Sequence, residues 1–170
     1  MFKIIKLLFE ICLFKQGPQN LPSSVWLWRI LAVVDVAASF LMINIRAGWL
    51  SSFLQAVTGA LLIVGFSWLI LYAVRKRERF YQTAGAMLGT DALITFFALP
   101  GMASMVIGSG ALLAFIIMIG LIIWHWVVVG HIIHNALEQT WAFSLGLAFL
   151  YIFGSYQVMA LLFPEIAGVN

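Results

Sequence analysis

The chain has 170 residues, 64% of them hydrophobic and 9% charged, with a mean hydropathy of +1.09. A water-soluble domain of that composition would aggregate, so the chain is read as an integral membrane protein in contact with the lipid bilayer, with no separate soluble catalytic domain. Lys and Arg number 9 against 6 acids, but they sit in short clusters rather than on a broad basic face, which argues against a nucleic-acid partner.

Residues 1–16 come first. Lys3, Lys6 and Glu10 are spaced three and four apart, so a helix there shows one polar stripe and is otherwise apolar, too short to span. It is expected to be an interfacial amphipathic helix, acting either as a membrane-surface anchor or as a helix packed on the end of a bundle. The segment resembles a signal peptide, but Glu10 interrupts it and no small-x-small site follows, so cleavage is not expected. The single cysteine, Cys12, is read as an apolar filler. Residues 17–24, containing Gly17, Pro18 and Pro22, form a rigid connector that ends on Ser23 or Ser24 as a helix N-cap.

Past Arg46, charge is confined to Arg75-Lys76-Arg77-Glu78-Arg79, Asp91, Glu138 and Glu165. The uncharged apolar stretches 47–74, 92–137 and 139–164 each reach or exceed the about 20 helical residues that cross a hydrocarbon core of about 30 Å. The expected fold is all-α, a five-helix transmembrane domain over residues 25–163 with spans at 25–45, 51–74, 84–105, 111–130 and 141–163. Pro100-Gly101 and Gly108-Ser109-Gly110 divide the stretch too long for one crossing, Pro164 stops the last span, and 164–170 form a short outside tail.

Orientation follows from the Lys and Arg bias of the connecting segments. Lys3, Lys6, Lys15, Arg75, Lys76, Arg77 and Arg79 fall on one side and Arg46 alone on the other, so the N-terminus is expected in the cytoplasm and the C-terminus outside. Six tryptophans, Trp26, Trp28, Trp68, Trp124, Trp126 and Trp141, fall toward the cytoplasmic ends, where indole suits the headgroup level.

Charges inside a span each need a reason. Arg29 is near enough to the cytoplasmic end to snorkel. Asp35, Asp91 and His125 share a depth in the cytoplasmic half of the bundle. They are read either as a polar cluster that glues helices or as a proton- or ion-handling site. His131, His134 and Glu138 lie on one face of an extension of the fourth span. Spread over two turns they do not converge on a metal, and capping of the helix C-terminus is the expected role. Gly85 and Gly89 give a smooth helix face, for packing within the bundle or for a homo-oligomer. No nucleophile-base order, phosphate loop or paired catalytic carboxylates appear, so neither an enzyme nor a cofactor is expected.

The run Glu78-Arg79-Phe80-Tyr81-Gln82-Thr83, with Ala86, Leu88-Gly89-Thr90-Asp91-Ala92-Leu93 and Pro100, resembles the third-span region of Yip1-type membrane proteins, and Trp124 to Leu137 is similar to their short bacterial members. The resemblance implies five helices with a cytoplasmic N-terminus and a bacterial inner-membrane location. In the eukaryotic members a long cytosolic N-terminal region goes with prenylated small GTPases. Only Gly17-Pro18 matches the motif before the spans there, so a GTPase partner is not carried over. The expected function is a non-enzymatic scaffold or assembly factor for other membrane proteins. The competing one is a small proton- or ion-coupled permease using Asp91, Asp35 and His125.

Overall fold

The computed structural model describes residues 2–108 and 111–164, and the expected tail lies almost wholly outside them. Among the described residues the chain is all-helical: α1 (Phe2–Cys12), α2 (Val25–Asn44), α3 (Trp49–Ala73), α4 (Phe80–Ile107), α5 (Ala111–Leu137) and α6 (Trp141–Leu162). Helices α2 to α6 are each long and apolar enough to cross a membrane, which makes this a multi-pass membrane protein in contact with the bilayer.

Helix α2 starts where the serines predict. Ser24 is extended and its Oγ accepts from the Leu27 N–H at 3.4 Å. Two spans are longer than expected. α4 begins at Phe80 rather than 84, and α5 continues to Leu137 rather than stopping at 130. In both cases a glycine or charge near the predicted end does not break the helix, because the extra turns are packed: Thr83, Ile132, Ile133, Ala136 and Leu137 are all buried. Pro100 lies inside α4, and the helix ends instead at Gly108, whose φ of +79° is a left-handed cap.

Helix α4 is the hub. It packs against α2, α3 and α5, and α1 crosses its face. The crossing uses glycine: a Cβ on Gly89 would lie 2.7 Å from a Leu8 methyl and 3.3 Å from a Leu31 methyl, and one on Gly85 would lie 3.1 Å from Leu21. The small-residue face is thus occupied by α1, α2 and the connector of the same chain. Of the two roles weighed for α1, the contacts show a helix packed on the bundle, with Leu8, Ile11 and Cys12 buried. Burial pushes the Cys12 thiol up to about 12.

The connector is tied down as well. Gln82 Nε2 donates to the carbonyls of Gln19 at 3.1 Å and Leu21 at 2.9 Å, so Pro18–Asn20 forms a short 3-10 turn held against the start of α4. The bundle therefore has a basic end, carrying this connector and the α3–α4 and α5–α6 links, and an opposite end carrying the α2–α3 link.

Candidate functional site

Two groups of polar residues stand out, one inside the bundle and one at its basic end. In the first, Asp35 sits at the middle of α2 and Asp91 on α4. Their carboxyl groups are within hydrogen-bonding range of each other. His125 on α5 places Nε2 3.3 Å from Asp91 Oδ1. The structure thus brings together all three residues singled out by depth.

The environments of the two carboxyls differ. Asp35 is 1% exposed and its Oδ1 has no hydrogen-bond partner. Such a group normally costs about 1–3 kcal/mol, and most buried polar atoms avoid it. Asp91 is half-buried beside the His125 ring. Both carboxyls line a cavity of about 190 Å³ whose walls also include Ser39, Gln55, Gly59 and Tyr151. Tyr151 shares a hydrogen bond with Ser155 one turn further along α6. All five spans therefore contribute to this centre.

Ser39, Gln55 and Tyr151 were missed by a search for charge. A weak signal existed: Gln55 is the one amide side chain in an uncharged span, buried near its start. Tyr151 has none, since tyrosine in a span usually reads as an interface anchor.

At the basic end the seven residues singled out divide among different partners. Glu138 forms ion pairs with Lys76 at 2.7 Å and Arg79 at 2.6 Å. The same cations reach the end of α5, Lys76 Nζ donating to Leu137 O at 3.2 Å and Arg79 to Ala136 O at 3.3 Å. Capping of α5 is thus done by the α3–α4 link rather than by the α5 histidines, with cations placed where the helix dipole favours them. Hydrogen bonds from Lys76 and Arg79 hold the Glu138 carboxyl below the ordinary glutamate range.

His131 Nε2 donates to Gln16 O at 2.9 Å, tying α5 to the end of α1, while His134 Nδ1 meets Gln139 O and its ring stacks on Trp141 at 5.0 Å. Among the described residues no three His, Cys, Asp or Glu side chains are grouped to hold a metal ion. Arg77 stacks on Tyr72, 4.0 Å from the ring centre. Arg75 takes φ +59° at the end of α3.

Two tryptophans do not act as headgroup anchors. Trp124 Nε1 donates to Cys12 O and Trp126 Nε1 to Leu145 O, each at 3.0 Å. Trp124 is thirteen residues before Leu137, or about 20 Å along the helix, so its indole lies well inside the bundle and pins α1 to α5.

The fold and its polar centre thus define a five-span membrane protein with a carboxylate pair in its interior. Neither a family model, nor a curated protein, nor a solved structure matches the chain.

Proposed function

We propose that this chain is a small proton-handling permease of the bacterial inner membrane, with Asp35, Asp91 and His125 as its proton site. The observation that supports it most is Asp35, buried, with one oxygen unpartnered, on a cavity wall and facing a second carboxyl. A scaffold needs its buried polar groups satisfied, whereas a permease needs them within reach of water from one side. That the Asp35–Asp91 pair lines a cavity supports the second. Two carboxyls in contact within an apolar bundle cannot both be charged unless a proton or cation lies between them. An imidazole nitrogen stands 3.3 Å from one of them, close enough to pass a proton. The basic end is cytoplasmic in this reading, supported by the seven-to-one Lys and Arg bias.

A non-enzymatic scaffold of Yip1 type is the second reading. Its support is the ordered basic end, where Gln19, Arg79, Asn135 and Glu138 line a polar cavity of about 370 Å³ suited to a protein segment. We propose kinship with the Yip1-type proteins on the resembling segments and the five-span plan. Neither reading includes an enzymatic step.

The test is proton flux into liposomes containing the purified protein and a trapped pH dye, driven by a potassium-diffusion potential. Wild type should acidify the lumen faster than empty liposomes, and Asp35→Asn and Asp91→Asn should fall to the empty-liposome rate. Equal flux through wild type and Asp35→Asn would remove the proton site and leave the scaffold.

A further inference from the structure

The carboxylate pair is enclosed unequally along the bundle axis. One helical turn toward the basic end from Asp35, Asp91 and His125 stand Leu31, Leu88 and Val128, all buried. On α6 Ala148, also fully buried, lies nearly one turn below Tyr151. These four helices thus place apolar side chains one turn below the pair, and on α3 the buried Ser67 hydroxyl donates to Ile63 O at 2.8 Å and lies 3.2 Å from Met87 Sδ.

One turn the other way the character reverses. Asp35 is followed by Ser39, Asp91 by Thr95 and Tyr151 by Ser155, all half-buried. Of these hydroxyls Ser39 lines the cavity. The cavity runs from the carboxyls past Ser39 and Gly59 to Ile43 and Met159, each within a turn of the helix end opposite the basic links. A cavity of about 190 Å³ with Asp35, Ser39, Gln55, Asp91 and Tyr151 on its wall has room for several waters.

We infer that this cavity is a water-filled half-channel that supplies protons to the Asp35–Asp91 pair from the end bearing the α2–α3 link, while Leu31, Leu88 and Val128 close the pair off from the basic end in this conformation and make release to that end the slow step of flux. The inference rests on the proton-site reading and adds a direction to it. Its unpartnered element is Asp35 Oδ1, buried and on the cavity wall.

Single cysteines test the route in sealed membrane vesicles of both orientations, using a membrane-impermeant thiol reagent. Cys12 adds little background, since it is buried and its thiol stays protonated. Ser39→Cys and Gly59→Cys are chosen because they line the cavity and because a Cβ on Gly59 meets nothing within 4 Å. Arg46→Cys and Arg77→Cys report the two ends, and Leu88→Cys reports the seal. Ser39→Cys and Gly59→Cys should react only from the side that labels Arg46→Cys, at least about tenfold faster than from the other side, with Leu88→Cys inert from both.

Labelling of the cavity positions from the Arg77 side, from both sides or from neither would overturn the half-channel. Flux measured on the same variants separates the two ideas. Flux with no one-sided labelling removes the half-channel and keeps the proton site, whereas one-sided labelling without flux in wild type removes the proton site. Labelling of Ser39→Cys should also stop flux.

Discussion

The interior centre and the basic end each gather charged side chains, yet they resolve charge in opposite ways. At the basic end Glu138 meets two cations at 2.7 and 2.6 Å, and those cations also cap α5. In the interior two like groups, Asp35 and Asp91, face each other with one imidazole nearby and one oxygen unpartnered. The first arrangement is what structure needs. The second is costly to hold in an apolar bundle, and that cost is what supports the proposed proton site. The apolar layer of Leu31, Leu88 and Val128 keeps the interior centre apart from the basic end.

The largest expected effect separates activity from stability. Asp35→Asn should abolish proton flux while leaving the melting temperature in detergent at or above that of wild type, because it removes a buried carboxylate whose oxygen is unsatisfied. Asp91→Asn should behave likewise, whereas Asp91→Leu should lower the melting temperature by leaving His125 without its partner. A melting temperature clearly lowered by Asp35→Asn would make the centre structural and erase the contrast with the basic end.

Next in size is the apolar layer. Leu88→Ala should cost about 2–5 kcal/mol, as for other fully buried leucines, measured by denaturant titration in mild detergent. It should also open the centre to the basic end and raise flux. A stable variant with unchanged flux would show that the layer is no seal. Gly89→Ala should cost about 1–3 kcal/mol, because the new Cβ meets two Leu8 methyls, 2.7 and 2.8 Å away. Flux should survive this change, since it acts on the seat of α1 rather than on the proton site.

The smallest effect belongs to the exposed ion pairs. Glu138→Gln should lower the melting temperature slightly and leave flux unchanged. The pH dependence has a definite sign: a carboxyl held below its ordinary value of 4.5 in the folded chain contributes stability that is fully present above that value and is lost as pH falls through the lowered one. Melting curves of wild type and Glu138→Gln should therefore converge in acid. A constant difference down to the lowest pH would remove the ion pairs as its cause.

Hydropathy made the five spans legible, because each apolar run is bounded by charge, glycine or proline. The shared depth of Asp35, Asp91 and His125 was legible too, since on antiparallel spans depth is a count of residues from the ends. Boundaries were less so. Helices α1, α3 and α5 give way to the left-handed residues Phe14, Arg75 and Glu138, where a glycine would have marked the end. The pairing of Lys76 and Arg79 with Glu138 was hidden because those residues are about sixty positions apart and the order in which helices pack is not written in any one span. The unpartnered oxygen of Asp35 was hidden for the same reason.

The central claim is that the Asp35–Asp91 pair holds a proton that exchanges with water. Infrared difference spectroscopy of the protein in lipid, recorded between two pH values, reads this through the C=O stretch of protonated carboxyls. The account predicts a pH-dependent carboxyl band in wild type that is missing from both Asp35→Asn and Asp91→Asn and unchanged in Glu138→Gln. A band that persists in both aspartate variants, or no pH-dependent band in wild type, would contradict it.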